Sequence, residues 1–233
     1  VNRVMMGKTL NAGQTCIAPD YVLVPRQYHE TFISLAKEWM AKHYPNIEHN
    51  PDYSRIINGA QFKRVKGYLD ALPSTEIHPL TSVEANIETR LMPPIIVSEP
   101  SSDSDVMQEE IFAPILPLVH YETLDDAIQF VNSRPRPLAL YVFGDNQNGI
   151  EKVRNNTVSG GLCINEVIMH VAQHDLPFGG VGDSGTGSYH GKAGFERLSH
   201  MKPIFVQTKL NGLNLLLPPY GGLFKKAMAL FLK

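Results

Sequence analysis

Cys16 lies in the segment NAGQTCIAPD, residues 11–20, where its neighbours are small or polar rather than apolar. Because Gly13, Gln14 and Thr15 precede it, we expect a turn that leaves the sulfur open to a substrate. Main-chain N–H groups at such a turn can stabilise the oxyanion that forms when a thiol adds to a carbonyl. Spacing alone does not separate a reactive thiol from a structural cysteine.

Cys163 has the opposite surroundings, since Leu162 and Ile164 flank it in a predicted buried strand. Packing is therefore its expected role. The two cysteines give neither a disulfide framework nor metal-ligand spacing, which is typical of a reducing, cytoplasmic compartment.

The run Gly180-Val181-Gly182-Asp183-Ser184-Gly185 matches the G-x-G-x-x-G pattern of dinucleotide-binding folds. In those folds the pattern joins a strand to a helix, so that the helix N-terminus meets the pyrophosphate. Here DLPF precedes it and TGSYHG follows, which predicts loop on both sides. We therefore do not expect a phosphate site at this position.

His170 and His174 are four residues apart, as are two ligands in zinc proteases. The expected glutamate is missing, since residue 171 is Val, and Pro177 follows closely. Loop or pocket-lining histidines are the better interpretation, and no metal is predicted.

Two carboxylates precede an aromatic residue in Gln108-Glu109-Glu110-Ile111-Phe112. A solvated acidic turn explains the pattern equally well, because acid and base roles depend on environments that a sequence does not give.

Composition excludes several classes of protein. The 233 residues are 43% hydrophobic and 19% charged, with a formal net charge of −2 and no basic stripe. Nucleic-acid binding and attraction to an anionic membrane are therefore not expected. The apolar tail segments fall short of the roughly 20 residues that a transmembrane helix needs. Without a signal peptide or an initiator Met, the chain is expected to begin inside a longer protein.

Apolar runs alternate with helical patterns along most of the chain, which predicts a mostly parallel sheet covered by helices. The predicted strands are Tyr21–Pro25, 94–100, 114–121, 138–144, 159–165 and an isolated 203–208. The predicted helices are Tyr28–Tyr44, Asp52–Leu72, Thr123–Asn132 and Asp145–Asn156.

Taken in order, these segments resemble the C-terminal half of an aldehyde dehydrogenase. NAGQTCIAPDYVLV is similar to that family's nucleophile segment, QEEIFAPILPLV to its nicotinamide-contact segment, and LPFGGVGDSGTGSYHGKAGFERLSH to its glycine-rich loop. CIAPDY, PLALYVFG, VIMH, SYHGK and LPPY are typical of the class 3-like branch, which includes fatty, aromatic and coniferyl aldehyde dehydrogenases.

The resemblance implies an α/β catalytic domain with Cys16 as nucleophile, its own N–H being one oxyanion donor. A thiohemiacetal forms, hydride passes to NAD or NADP, and water hydrolyses the remaining thioester to the acid. Glu110 would bind the nicotinamide ribose and Phe112 would pack near the nicotinamide ring. Ala113 stands where many members have Gly, with little effect expected.

The same resemblance assigns an aldehyde tunnel and an assembly surface. Val167, Ile168, Met169, His170 and Phe178 would line the tunnel. Residues 1–200 would form the catalytic domain and 201–209, around Phe205, a strand bridging the subunits of a homodimer. The tail 210–233 would cover the tunnel mouth or the partner.

Three parts of the family's machinery come from upstream of the matching segment. These are the dinucleotide-binding domain that holds most of NAD(P), the general-base glutamate and an asparagine oxyanion donor. Losing a general base typically costs about 10²–10⁴-fold in rate, so the chain alone is expected to be inactive.

Two other functions remain open at this point. A catalytically silent half-enzyme would only fold and associate, with an unreactive Cys16. A cofactor-free cysteine hydrolase would need one of the nine histidines within hydrogen-bond reach of the Cys16 sulfur.

Overall fold

The computed structural model describes residues 1–232, without the side chains of residues 215, 216 and 231. The chain divides into two compact units, Val1–Leu198 and Ser199–Lys233. This division lies next to the predicted boundary at residue 200. Lys233, the last residue of the predicted tail, lies outside the described residues.

A four-stranded sheet organises the first unit. In order along the sheet, its strands are β1 (Val22–Pro25), β4 (Ile115–Tyr121), β3 (Ile95–Ser98) and β2 (Ile77–Pro79). β4 runs parallel to both β1 and β3, whereas β2 pairs antiparallel at the edge. β1, β3 and β4 begin or end within about two residues of their predicted bounds, and the short β2 has no counterpart among the predictions.

The two faces of this sheet carry separate parts of the core. Successive side chains of a strand point to opposite faces, and Ile115 and Leu116 of β4 accordingly join different clusters. Leu116 packs with α1 (Asn2–Thr9) and α2 (His29–His43). Ile115 packs with α3 (Gly59–Asp70) and α4 (Asp105–Gln108). The predicted fold class, a mostly parallel sheet covered by helices, is confirmed.

The predicted helix Asp52–Leu72 is shorter in the structure and begins at Gly59. The Asn58 side chain accepts a hydrogen bond from the Gln61 N–H at 2.9 Å, which caps the first turn. The residues before it are used elsewhere, because Arg55 and Ile57 hydrogen-bond through their main chains to Gln14. Residues 52–58 therefore form long-range hydrogen bonds instead of the predicted helix.

A second, two-stranded parallel sheet pairs β5 (Ala139–Val142) with β6 (Gly161–Ile164), and its register sets Tyr141 opposite Cys163. α5 (Leu124–Asn132) precedes it and α6 (Gln147–Asn156) connects the two strands. All four elements were predicted, because each has a local signal of β-branched or helical periodicity.

The glycine-rich segment forms a loop, as its context predicts. Phe178 and Tyr189 exchange two main-chain hydrogen bonds of 2.9 Å that close it. A Cβ on Gly180 would lie 2.0 Å from the Ser184 carbonyl oxygen, so glycine here permits close main-chain packing. A single helical turn, Gly182–Ser184, stands where a dinucleotide fold needs a helix, and α7 (Gly191–Arg197) begins later.

The second unit has no regular secondary structure over residues 201–208 and contains α8 (Gly222–Phe231). Phe205 is 84% exposed, and its apolar neighbours Ile204 and Val206 are 76% and 79% exposed. No strand pairing is described for residues 201–208 in this single chain, so the bridging strand and the covering tail stay predictions. Within residues 1–232, no helix has the length and apolar character needed to cross a membrane.

Thr123 tests the local stabilisation of α5. Its side chain accepts from the Asp126 N–H while the Asp126 carboxylate accepts from the Thr123 N–H at 2.8 Å, a reciprocal capping box. Thr123→Ala should lower the free energy of unfolding by about 1 kcal/mol in urea titrations. Thr89→Ala, at an exposed turn position, should change it by less than about 0.5 kcal/mol. Equal losses in both variants would contradict the assignment.

Candidate active site

The chain enters the nucleophile segment through three consecutive left-handed residues. Asn11, Ala12 and Gly13 have φ angles of 50°, 51° and 72°. Glycine adopts this conformation freely and asparagine tolerates it, whereas alanine costs about 1–2 kcal/mol. This reversal redirects the chain after α1 toward Cys16, and other interactions must offset its conformational cost.

The side chain of Gln14 fixes this reversal. Its amide nitrogen donates to the carbonyls of Asn11 and Arg55, each at 3.0 Å, and its amide oxygen accepts from the Ile57 N–H at 2.9 Å. The Asn11 amide donates back to the Gln14 carbonyl at 3.0 Å. One half-buried side chain therefore anchors the segment to the loop before α3.

Cys16 follows in a tight turn, closed by a 2.9 Å bond from the Ala18 N–H to the Thr15 carbonyl. Cys16 is exposed, as its polar neighbours predict, whereas Ile17 is 3% exposed. The Tyr141 hydroxyl donates to the Ile17 carbonyl at 2.6 Å. Hydrogen bonds thus hold the turn at Thr15 and at Ile17, and Cys16 is exposed between them.

The segment predicted to contact the cofactor is held through the main chain of Ile111. The Ile111 N–H donates to the Asp20 carboxylate at 3.3 Å, and the Ile111 carbonyl accepts from the Arg64 guanidinium at 2.7 Å. Ile111 itself is fully buried. The next residue, Phe112, is left-handed at φ 51° and has 40% of its surface exposed.

The nucleophile and cofactor segments meet through their main chains. A Cβ on Gly13 would lie 2.4 Å from the Ala113 carbonyl oxygen, so only glycine fits there. Ala113 is fully buried, and the small effect expected of alanine in place of glycine stays a prediction.

A cleft of about 530 Å³ opens beside this contact. It brings together the predicted cofactor residues Glu110 and Phe112 with Gln14 of the nucleophile segment. The other lining residues are Ile57, Asn58, Gln61 and Arg64. Ile57 is 67% exposed, so the cleft presents apolar surface next to the Glu110 carboxylate.

A buried lysine, Lys8, and a half-buried aspartate, Asp20, lie on either side of Cys16 in the sequence. Burial lowers the pKa of Lys8 to about 8 against the attraction of Asp20. Burial raises the pKa of Asp20, opposed by Lys8, the Ile111 N–H and Arg134. Partial burial and then the charge of Asp20 raise the pKa of Glu110, while Arg64 lowers it. Sequence reasoning missed Lys8 and Asp20; a lysine and an aspartate on either side of the cysteine are a weak signal.

The predicted tunnel residues divide into two groups. Val167, Ile168 and Phe178 are 0%, 5% and 9% exposed and pack in one cluster with Ile17, the neighbour of Cys16. Met169 is 44% exposed. Ile168 has a φ of 65°, an unusual conformation for a β-branched residue.

His170 pairs with the other cysteine. Its Nδ1 lies 3.1 Å from the Cys163 sulfur, and its ring is 5.6 Å from that of Phe178. His174 instead contacts the His190 ring at 6.1 Å. The two histidines therefore face different groups, and residues 1–232 contain no cluster of three or more acidic, His or Cys side chains suited to a metal ion.

The chain belongs to the aldehyde dehydrogenase family, whose model matches residues 1–204. A probable coniferyl aldehyde dehydrogenase of Pseudomonas aeruginosa is 47% identical over 96% of this chain and 47% of its own length. The prediction of the class 3-like branch is confirmed, since that branch includes the coniferyl enzymes. The chain spans about half the length of the curated relatives it matches.

Solved structures agree with the fold. A substrate-bound AldH of Staphylococcus aureus has a TM-score of 0.88 and 41% identity, with 99% of this chain and 50% of that one covered. An AldC mutant of Pseudomonas syringae in complex with NAD+ and octanal has a TM-score of 0.71 and 28% identity, covering 84% and 41%. Binding of NAD+ thus occurs within the family.

Gly13 tests the contact between the two segments. Gly13→Ala combines a positive φ with a clash against main chain, so unfolding in urea should show a loss of more than about 1 kcal/mol. Gly59→Ala is the matched control, since nothing lies within 4 Å of its Cβ position at the start of α3. That variant should gain about 0.5 kcal/mol. A Gly13→Ala protein as stable as wild type would disprove the close contact.

Proposed function

We propose that this chain is the catalytic part of an NAD(P)-dependent, non-phosphorylating aldehyde dehydrogenase that oxidises aldehydes to carboxylic acids. The observation that carries this proposal is the exposed Cys16, which lies two residues after Gln14 in a hydrogen-bonded turn, while Gln14 itself lines the cleft of Glu110 and Phe112. Family membership supports the reaction class, and the geometry supports the residues that perform it.

Cys16 acts as the nucleophile. Its thiolate adds to the aldehyde carbon, and the carbonyl oxygen becomes the alkoxide of a tetrahedral thiohemiacetal. The Cys16 N–H, in the tight turn, serves as one donor to that oxygen. Holding the turn in place avoids reorganisation when charge develops, and this favours the transition state over the free aldehyde.

The residues of the cleft suit a nicotinamide nucleotide. The exposed Glu110 carboxylate can accept hydrogen bonds from ribose hydroxyls, and the exposed Phe112 ring offers an apolar surface to the nicotinamide. When bound, NAD(P)+ supplies the hydride acceptor that turns the thiohemiacetal on Cys16 into a thioester.

The rest of the machinery is proposed to come from an upstream dinucleotide-binding domain. Relatives of about twice this length support that assignment, as does the loop context of the glycine motif. That domain would hold most of the cofactor and supply the general base that activates water for thioester hydrolysis. We further propose a cytoplasmic homodimer bridged through residues 201–209.

The substrate is proposed to be an aromatic or long-chain aldehyde, with coniferyl aldehyde as one candidate. The coniferyl relative supports the aromatic class, and the AldC complex with octanal supports an aliphatic chain. Val167, Ile168 and Phe178 give the proposed tunnel an apolar wall next to Ile17. Met169 and His170 complete the proposed lining.

The hydrolase alternative has less support. Among residues 1–232, the histidine that hydrogen-bonds a thiol is His170, and its partner is Cys163 rather than Cys16. A cofactor-free cysteine hydrolase would instead need a histidine within hydrogen-bond reach of the exposed Cys16 sulfur.

The two cysteines provide a matched test of the nucleophile. In the full-length protein, Cys16→Ala should reduce NAD(P)H formation from aromatic and long-chain aldehydes by at least about 10⁴-fold, because no other group can form the thiohemiacetal. Cys163→Ala should keep activity within about tenfold of wild type. Full activity of Cys16→Ala, or no oxidation of any aldehyde by wild type, would refute the proposal.

Adjacent carboxylates test the cofactor site. Glu110→Gln should raise the KM for NAD(P)+ about tenfold or more, since it replaces a charged acceptor by a weaker neutral one. Glu109→Gln is the control, because the Glu109 carboxylate is already occupied by the Tyr68 hydroxyl at 2.6 Å. Steady-state titration with the cofactor distinguishes the two variants. Equal KM values in both would show that Glu110 does not bind the cofactor.

A further inference from the structure

The Tyr141 hydroxyl forms a long-range hydrogen bond to the nucleophile turn. Tyr141 belongs to β5, and its oxygen donates to the Ile17 carbonyl at 2.6 Å across 124 residues of sequence. Ile17 directly follows Cys16, so this bond fixes the orientation of the Ile17–Ala18 peptide unit, one residue beyond the proposed nucleophile. The bond is short, as hydroxyl–carbonyl bonds in proteins are.

The same hydroxyl also reaches the segment of the proposed tunnel. Burial raises the pKa of Tyr141, and the thiols Cys163 and Cys16 add to the rise, whereas the Ile168 main chain opposes it. The raised pKa favours the protonated phenol, which is the form that donates to the Ile17 carbonyl. The hydroxyl that donates to the Ile17 carbonyl is thus also near the main chain of Ile168, whose φ is 65°.

The ring of Tyr141 is held by its neighbours. The His170 ring lies edge-on at 6.1 Å, and His170 in turn contacts the Cys163 sulfur at 3.1 Å. Cys163 is the register partner of Tyr141 in β6. A Cβ on Gly161 would lie 2.8 Å from the His170 ring, so little space remains for these groups to move.

We propose that Tyr141 is a positioning residue for the reaction, whose hydroxyl sets the position of the Cys16 sulfur relative to an aldehyde held against the Ile168 segment. The inference rests on the proposed role of Cys16 as nucleophile. Reacting atoms must approach to about 3–3.5 Å with aligned orbitals, and small misplacements cost up to about 100-fold in rate. The Gln14 side chain restrains the segment before Cys16, and the Tyr141 hydroxyl restrains it at Ile17, directly after Cys16.

Tyr141→Phe removes only the hydroxyl and keeps the ring. In the full-length protein it should lower kcat about tenfold or more while KM for the aldehyde changes less than about twofold, since alignment and not binding is lost. Alkylation of Cys16 by iodoacetamide, followed by peptide mass spectrometry, should slow about threefold, because a looser turn no longer holds the thiol toward solvent.

Tyr53→Phe is the matched control. The Tyr53 hydroxyl donates to the Met92 carbonyl at 2.8 Å in the buried core, a bond of the same kind that does not involve the nucleophile turn. Both variants should lose similar thermal stability. Only Tyr141→Phe should have a lower kcat and a slower alkylation of Cys16.

The outcomes separate this inference from the proposed function. If both variants lose kcat in proportion to stability, or if Tyr141→Phe matches wild type, Tyr141 has no positioning role. If wild type oxidises no aldehyde but Cys16 alkylation still slows in Tyr141→Phe alone, the proposed function fails while the positioning of the thiol stands.

Discussion

The site depends on the close approach of two main chains, at Gly13 and Ala113. A Cβ at Gly13 would lie 2.4 Å from the Ala113 carbonyl oxygen, so the contact requires glycine. The approach follows from the parallel pairing of β1 with β4, in which Val22 lies opposite Leu118. Segments that precede two parallel neighbouring strands reach the same edge of the sheet. The nucleophile segment and the cofactor segment therefore meet without any loop having to cross the molecule.

Strained backbone conformations occur on both sides of this contact and also in the proposed tunnel, each next to hydrogen-bonding groups. Non-glycine residues with positive φ include Ala12 in the nucleophile segment, Phe112 in the cofactor segment and Ile168 in the proposed tunnel. Such conformations cost about 1–3 kcal/mol each and persist only where the surroundings determine them. Gln14 supports the first, the Asp20 and Arg64 bonds to Ile111 support the second, and the Tyr141 hydroxyl lies beside the third.

Much of the fold was predictable because many of its strands and helices have residue patterns that are visible within a short stretch of sequence. The β-branched runs of β1, β3 and β4 and the periodicity of α2 and α5 need no knowledge of the rest of the chain. The exposure of Cys16 was predictable for the same reason, from its polar neighbours. Helix α1 was missed because it buries Lys8 among apolar residues, which removes the amphipathic pattern that marks a surface helix. The start of α3 and the bonds of Gln14 and Tyr141 join residues far apart in sequence, and no periodicity encodes such pairs.

The two cysteines show how environment divides similar groups between different tasks. Burial raises the pKa of Cys163, and burial lowers the pKa of its partner His170, so both shifts favour a neutral thiol beside a neutral imidazole. A Cys–His pair of this kind is a packing contact and not an activated nucleophile, since activation needs the thiolate. Cys16 has neither this burial nor a histidine partner among the described residues. Cys16 is instead exposed in a hydrogen-bonded turn two residues from Gln14, which lines the cleft. This setting suits the proposed role of a thiol that meets both an aldehyde and a hydride acceptor.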